Sequence, residues 1–317
     1  MQNAEDIIHM VSSSGGTAED STEYASDRYS GFDAWSSEDA LDALWQGQVA
    51  AAACAGPAIP ALARAAEDIA TRLQSGFGRL VYTGAGSSGL LAMQDGMEMT
   101  QTFSWPQDRL VFLMAGGDAA RLQQIGVEED DAGAAATDAT RVAFTNKDVV
   151  IAVAASGTTP YTVGMVEAAN AAGALTVAII NNEMTPMGVA ADHEIILASG
   201  PEVIAGSTRL GAGTAQKAAL GMLSTLVMTR LGHVHDGYMV SVVADNKKLE
   251  ERATRMVASI AGVADDVARA ALNTCNGQVK NAVLIARGMS ADEAGIALEG
   301  AGGNLRAVLN LSETKKS

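Results

Sequence analysis

Short apolar runs recur through the middle of the chain, each closed by glycine or small polar residues and each followed by a stretch with helical spacing. Residues 80–82, 110–114, 148–154, 175–180 and 194–197 are apolar at nearly every position rather than alternating, the pattern of strands covered on both faces. Helical stretches between them predict an α/β fold with a doubly wound parallel sheet, whose ligands bind where loops leave the carboxyl ends of the strands. Upstream, residues 49–72 read as two helices interrupted at Gly56 and Pro57, the second amphipathic through Ile59, Leu62, Ala65, Ile69 and Leu73. Residues 118–125 read as helical, an Ala-rich helix runs to about Thr140, and residues 160–172 form another.

Further along, Ala215, Ala219, Met222, Leu223, Leu226 and Val227 mark a long buried helix over 213–230, and residues 238–243 a final strand. Helices over 249–260, 263–272, 278–286 and 290–299, with Ser290 and Glu293 as a capping start and one more opening after Gly302 and Asn304, predict a small all-helical module. The organisation expected is a flexible arm over 1–20, an N-terminal helical segment over 21–75, the sheet domain over 76–245 and the helical module over 246–317. Five aromatics, Tyr24, Tyr29, Phe32, Trp35 and Trp45, crowd the N-terminal segment, which predicts docking onto the sheet domain or onto a second subunit. Ser36 to Asp39 make a helix start.

Composition narrows the chemistry. With 48% hydrophobic but only 4% aromatic residues, the core is built from Ala, Val, Leu, Ile and Met. A formal charge of −16 excludes general affinity for nucleic acid or anionic membranes, so an anionic ligand needs local donors. Cys54 and Cys275 form no metal-ligand pattern and read as buried thiols of a cytoplasmic protein without disulfides, and no stretch has membrane-spanning length free of polar residues. His193, His233 and His235 lack ligand companions at useful spacing.

Two loops supply the donors. After the first strand comes Gly84-Ala-Gly86-Ser87-Ser88-Gly89, opening onto a helix whose free amides and dipole favour phosphate or carboxylate. Its Gly-x-Gly-x-x-Gly spacing also fits a dinucleotide loop, but no acidic residue sits at a strand end about 20 residues on, where a ribose would need one. After the third strand, Ser156-Gly-Thr158-Thr159-Pro160 repeats the theme, with proline at the first helical position. An acidic cluster, Glu128, Glu129, Asp130 and Asp131, follows the second strand and by composition alone reads as a solvated helix edge.

These loops, Gly-Pro-Glu-Val at 200–203 and above all Gly206-Ser-Thr-Arg-Leu-Gly-Ala-Gly-Thr-Ala-Gln-Lys217 resemble the N-acetylmuramic acid 6-phosphate etherases of the sugar isomerase (SIS) domain superfamily. The resemblance runs from about Thr22 to Leu309. It implies cleavage of a D-lactyl ether from a phosphorylated amino sugar, with no metal or organic cofactor, by a cytoplasmic homodimer whose sites lie near the subunit interface. Glu98 and Glu129 match the family's two catalytic acids. The resemblance gives Glu98 the protonation of the leaving group and Glu129 the removal of the C2 proton, chemistry that asks for a carboxyl pair. Ser87, Ser88, Ser156 and Thr159 match phosphate positions, and Ser207, Arg209 and Lys217 are candidates for a substrate carboxylate or phosphate.

Glu98 lies ten residues beyond Ser88, about 15 Å along a helix. Three arrangements accommodate that span: the sugar lies along the helix, the helix breaks early, or a neighbouring subunit supplies one acid. Thr22, Glu23, Asp33 and Ser36 also match the family and make the aromatic segment a candidate lid or dimer arm. The chain departs from the family where Leu90 and Thr158 replace arginines, Gly211 a lysine, Ala25 and Ser26 an Arg-Asn pair, and Gly47 and Gln48 two acids. Rival readings are a sugar-phosphate sensor resembling the glucokinase regulatory proteins, and an enzyme for a related sugar acid.

Overall fold

The computed structural model describes residues 21–121, 126–242 and 247–314; the arm expected over 1–20 lies outside them. The elements run α1 (Ser37–Ala53), α2 (Ile59–Leu73), β1 (Leu80–Gly84), α3 (Gly86–Phe103), β2 (Leu110–Met114), α4 (Ala132–Val142), β3 (Val149–Ala154), α5 (Pro160–Ala171), β4 (Leu175–Ile180), α6 (Pro186–Ala190), β5 (His193–Ile196) and α7 (Gly211–Arg230). There follow β6 (Val234–His235), β7 (Tyr238–Met239), α8 (Lys247–Ala261), α9 (Asp265–Thr274), α10 (Val279–Ala286), α11 (Ala291–Gly300) and α12 (Leu305–Thr314).

The described residues fall into two compact units, the first up to residue 96 and again over 108–224, the second over 97–107 and from residue 225 on. The first is built on a parallel five-stranded sheet in the order β2-β1-β3-β4-β5, which is the doubly wound arrangement expected. Strands β1, β3 and β4 are buried throughout, as their nearly unbroken apolar runs require. Strand order reverses between β1 and β3, where Gly84 pairs with Val153. The loops leaving these two strands therefore flank the crevice where open α/β sheets hold ligands. At the opposite end, Arg79 holds Asp148 with Nε at 3.0 Å and Nη2 at 2.6 Å. Burial pushes the Asp148 carboxyl upward, but hydrogen bonds from Arg79 and Thr145 prevail and hold it below its ordinary range.

Local signals explain the helix starts. Ser36 accepts from the Asp39 amide and opens α1, and Ser290 with Glu293 forms a reciprocal capping box on α11. Only Ala43 and Ala51 of α1 are buried; Leu41 and Trp45 face outward. The other four N-terminal aromatics are not buried either. In the second unit, Val257, Ala268, Val283, Ala294 and Leu305 belong to one apolar core.

Three expectations are corrected. The final strand over 238–243 is instead a minimal antiparallel hairpin pairing His235 with Tyr238, turned by Asp236 at φ 45° and Gly237 at φ 77°. Asp-Gly is the residue pair such a turn demands. Met222 of α7 is 40% exposed while Leu223 and Val227 are buried, so the apolar stripe is narrower than its spacing implied. The helix expected over 118–125 is a 3-10 turn, Gly117–Arg121, as far as the described residues show.

Candidate active site

The first loop is shaped by two glycines that touch. A Cβ built on Gly84 would lie 2.8 Å from the Gly89 Cα and 2.8 Å from the Val153 carbonyl oxygen; one on Gly89 would lie 2.9 Å from the Gly84 carbonyl carbon. Only bare backbone lets α3 start this close to β1. Its first turn then presents Ser87, half-buried, and Ser88, 9% exposed, at the carboxyl edge of the sheet. In the second loop, Gly157 at φ 67° packs against the Thr185 side chain, the Ser156 hydroxyl accepts from the Thr158 amide at 3.2 Å, and Gly157 O accepts from the Met187 amide at 3.1 Å. Thr159 occupies the N-cap of α5 without using its hydroxyl to cap. Adjacent strands thus bring all four predicted phosphate hydroxyls to one edge.

The acidic cluster folds back onto this edge. The carboxylate of Glu128 lies against Gly116 at the end of β2, and a Cβ on Gly86 would meet Glu129 Oε1 at 2.7 Å. Glu129 therefore stands beside the first turn of α3. Burial, with a smaller push from Asp130, raises its carboxyl pKa above the ordinary value. Asp131 instead caps α4, accepting from the Ala134 amide at 2.9 Å.

Glu98 is exposed on α3, in the part of that helix assigned to the second unit. The helix is continuous from Gly86 to Phe103, so an early break is excluded. Its seating in the first unit is tight. Asp95, 2% exposed, accepts from Tyr82 Oη at 3.0 Å and Ser224 Oγ at 3.1 Å, and a Cβ on Gly96 would strike the Tyr82 and Phe112 rings. Burial and then the Asp95 charge raise the Tyr82 pKa far above its usual range, keeping the phenol a donor.

The 206–217 motif straddles the start of α7. Glu202, only 4% exposed, accepts from the Gly211 and Ala212 amides, each at 2.8 Å. Its carboxylate fills the helix N-terminus that an anionic ligand would otherwise use. Ser207 and Lys217 are half-buried and Arg209 exposed; among the described residues neither cation forms an ion pair. A cavity of about 300 Å³ opens here, lined among others by Ser26, Arg28, Gln48, Ser199, Glu202 and Leu210. Among the described residues no group of three or more His, Cys, Asp or Glu is placed to hold a metal ion.

Comparison with known proteins now bears on this edge. A profile for the glucokinase regulatory protein N-terminal SIS domain matches residues 61–170, and the SIS domain profile matches residues 119–226. The chain is 46% identical over 293 residues to an N-acetylmuramic acid 6-phosphate etherase of Deinococcus radiodurans, across 92% of this chain and 96% of that one. The chain belongs to the N-acetylmuramic acid 6-phosphate etherase family. Another etherase, from Streptomyces avermitilis, is 45% identical over 252 residues, 79% of this chain and 81% of that one. That from Bacillus subtilis is 43% identical over 208 residues, 66% of this chain and 68% of that one.

Within this etherase-family chain, two of the departures, Leu90 and Gly211, have local explanations. Leu90 packs with Met93, Met114 and Ala120 in a small apolar cluster. A Cβ on Gly211 would stand 3.0 Å from Glu202 Oε2, so the helix can approach its carboxylate this closely because position 211 has no side chain. Sequence reasoning missed Glu202, although its Gly-Pro-Glu context stood out. It also missed Asn181 and Asn182 after β4, which carry no signal beyond a polar pair at a strand end. Asn181 donates to Leu197 O at 2.9 Å and accepts from Gln216 Nε2 at 2.9 Å, tying β4, the loop after β5 and α7 together.

Proposed function

We propose that this chain is a carbon-oxygen lyase that cleaves the D-lactyl ether of N-acetylmuramic acid 6-phosphate, releasing D-lactate and N-acetylglucosamine 6-phosphate in the recycling of cell-wall sugar. Identity to a named etherase over 92% of the chain carries the reading. Ser87 and Ser88 with the first amides of α3, and Ser156 and Thr159 from the neighbouring strand, form the phosphate clamp. Arg209 and Lys217, with Ser207, take the lactyl carboxylate.

The Glu129 carboxylate removes the C2 proton of the ring-opened sugar. Its electron pair forms the C2–C3 double bond as the C3–oxygen bond breaks, and the Glu98 carboxyl protonates the departing lactyl oxygen. Water then adds to C3 of the unsaturated aldehyde and restores the saturated sugar. A raised pKa suits a base that must hold and return a proton near neutrality. No organic cofactor or metal takes part. The active form is a cytoplasmic homodimer, in which the outward Leu41 and Trp45 of α1 meet a second copy and the partner subunit completes the site.

Incubation with N-acetylmuramic acid 6-phosphate and an assay for D-lactate tests the reading. Stoichiometric lactate is expected. Sugar phosphate bound without lactate release would instead favour a sensor, the reading suggested by the regulatory-protein profile over 61–170. For the roles, Glu129→Ala abolishes exchange of the C2 proton with solvent while Glu98→Ala retains part of it; equal loss in both variants would remove the assignment.

A further inference from the structure

The N-terminal segment is fastened to the ligand edge through one side chain. Thr22 is fully buried, and its amide donates to Asn182 Oδ1 at 3.2 Å while Asn182 Nδ2 donates to Thr22 Oγ1 at 3.1 Å. The same Nδ2 donates to Ala155 O at 3.0 Å, the carbonyl immediately before Ser156. Both amide protons and the oxygen of Asn182 are thereby engaged. From Thr22 the fastening continues: its carbonyl accepts from the Gly206 amide at 3.1 Å, next to Ser207. A few residues on, Ser26 and Arg28 form a wall of the 300 Å³ cavity facing Glu202 and Leu210.

We infer that Asn182 is a positioning residue that locks the strap over residues 22–29 to the second phosphate loop, so that occupancy of that loop and closure of the strap favour each other. This rests on the phosphate assignment proposed above. Its physical basis is reciprocity: an amide that bonds both the strap and the loop carbonyl stabilises each in proportion to the order of the other. Asn182 touches no substrate in this scheme. Its effect falls on binding, because the carboxyl pair lies on other elements.

Asn182→Ala, Thr22→Val and the conservative Thr22→Ser test it, with KM, kcat, calorimetric affinity for N-acetylglucosamine 6-phosphate and amide exchange of the unliganded protein as readouts. Asn182→Ala is expected to raise KM and Kd about tenfold, and Thr22→Val about fivefold, the scale of one or two lost hydrogen bonds. Turnover number should stay within about twofold, as for an interaction held equally in ground and transition states. Thr22→Ser keeps wild-type values, and the double variant is no worse than Asn182→Ala alone. Exchange rises at both 22–29 and 156–159 in Thr22→Val, although the bonds of residue 22 run to Asn182 and Gly206 and not to that loop. Faster exchange confined to 22–29, or an unchanged Kd in Asn182→Ala, would overturn the inference. A wild-type chain that binds no sugar phosphate would sink the functional reading, and the exchange pattern would still decide the coupling.

Discussion

Helix α7 begins against a carboxylate of its own chain, whereas α3 begins against hydroxyls and open backbone. At α7, Glu202 accepts from both the Gly211 and Ala212 amides, so the donors and the dipole are satisfied internally. At α3, the carboxylate of Glu129 stands beside Gly86 and, among the described residues, bonds to none of the helix's amides. The two helix N-termini therefore differ: one is closed by a carboxylate of the scaffold, the other is the end proposed to hold an anion. A motif as conspicuous as residues 206–217 need not hold the phosphate itself; here its helix end is already occupied.

The largest effect is expected where the open end meets chemistry. Glu129→Gln removes the proposed base and should lower turnover by about 10²–10⁴-fold, measured as lactate release. The wild-type profile sharpens the point. Because burial raises the Glu129 pKa, the active carboxylate form is lost as pH falls through that raised value, so the acid limb of kcat/KM lies above the ordinary glutamate range. A bound phosphate beside Gly86 disfavours the charge further, which places the acid limb of kcat higher still. Coincident limbs at an ordinary carboxylate pKa would remove Glu129 as the base.

Breaking the closed end is a stability experiment. Glu202→Ala leaves two buried amides unpaired and is expected to cost about 2–4 kcal/mol in urea unfolding. Loss of that size without a matching loss at Ser88 is the signature of an internal plug. Between these lies the glycine contact that lets α3 start beside β1. Gly89→Ala drives a Cβ against the Gly84 carbonyl, 2.9 Å from carbon and 3.0 Å from oxygen, and should cost about 1–3 kcal/mol, since neither partner is a flexible side chain. A neutral result would mean that the loop relaxes freely and that its geometry is not fixed for a ligand.

Legibility followed the range of the interactions. The buried strands could be read because β1, β3 and β4 are apolar at nearly every position, and Ser36 and Ser290 because a cap is written within four residues. The hairpin at Asp236-Gly237 was also local, but the apolar residues from Tyr238 onward suggested a longer strand than the two residues that pair. Asn182 had no such handle: its partners Thr22 and Ala155 are 160 and 27 residues away. Glu202 lies nine residues from Gly211, beyond the reach of ordinary capping rules, so nothing local marked its carboxylate as the cap of α7. The hydroxyls of both loops were visible in sequence, but their convergence depends on β1 and β3 being neighbours, a fact of topology rather than of spacing.

The smallest expected change is also the most discriminating for the comparison. Ser88→Ala removes one hydroxyl from the open helix end, where Ser88 is 9% exposed, and should weaken binding of N-acetylglucosamine 6-phosphate by about tenfold with little change in stability, the contribution of one charge-assisted hydrogen bond. Ser207→Ala, beside the closed end, should leave that affinity within about threefold, because the α7 amides are bound to Glu202 and give a phosphate nothing to share with the serine. Its effect should appear instead with a ligand that carries the lactyl carboxylate. Equal losses at Ser88 and Ser207 for the product would place the phosphate across both helix ends and erase the distinction; a loss at Ser207 alone would reverse it and make Arg209 and Lys217 the phosphate cations.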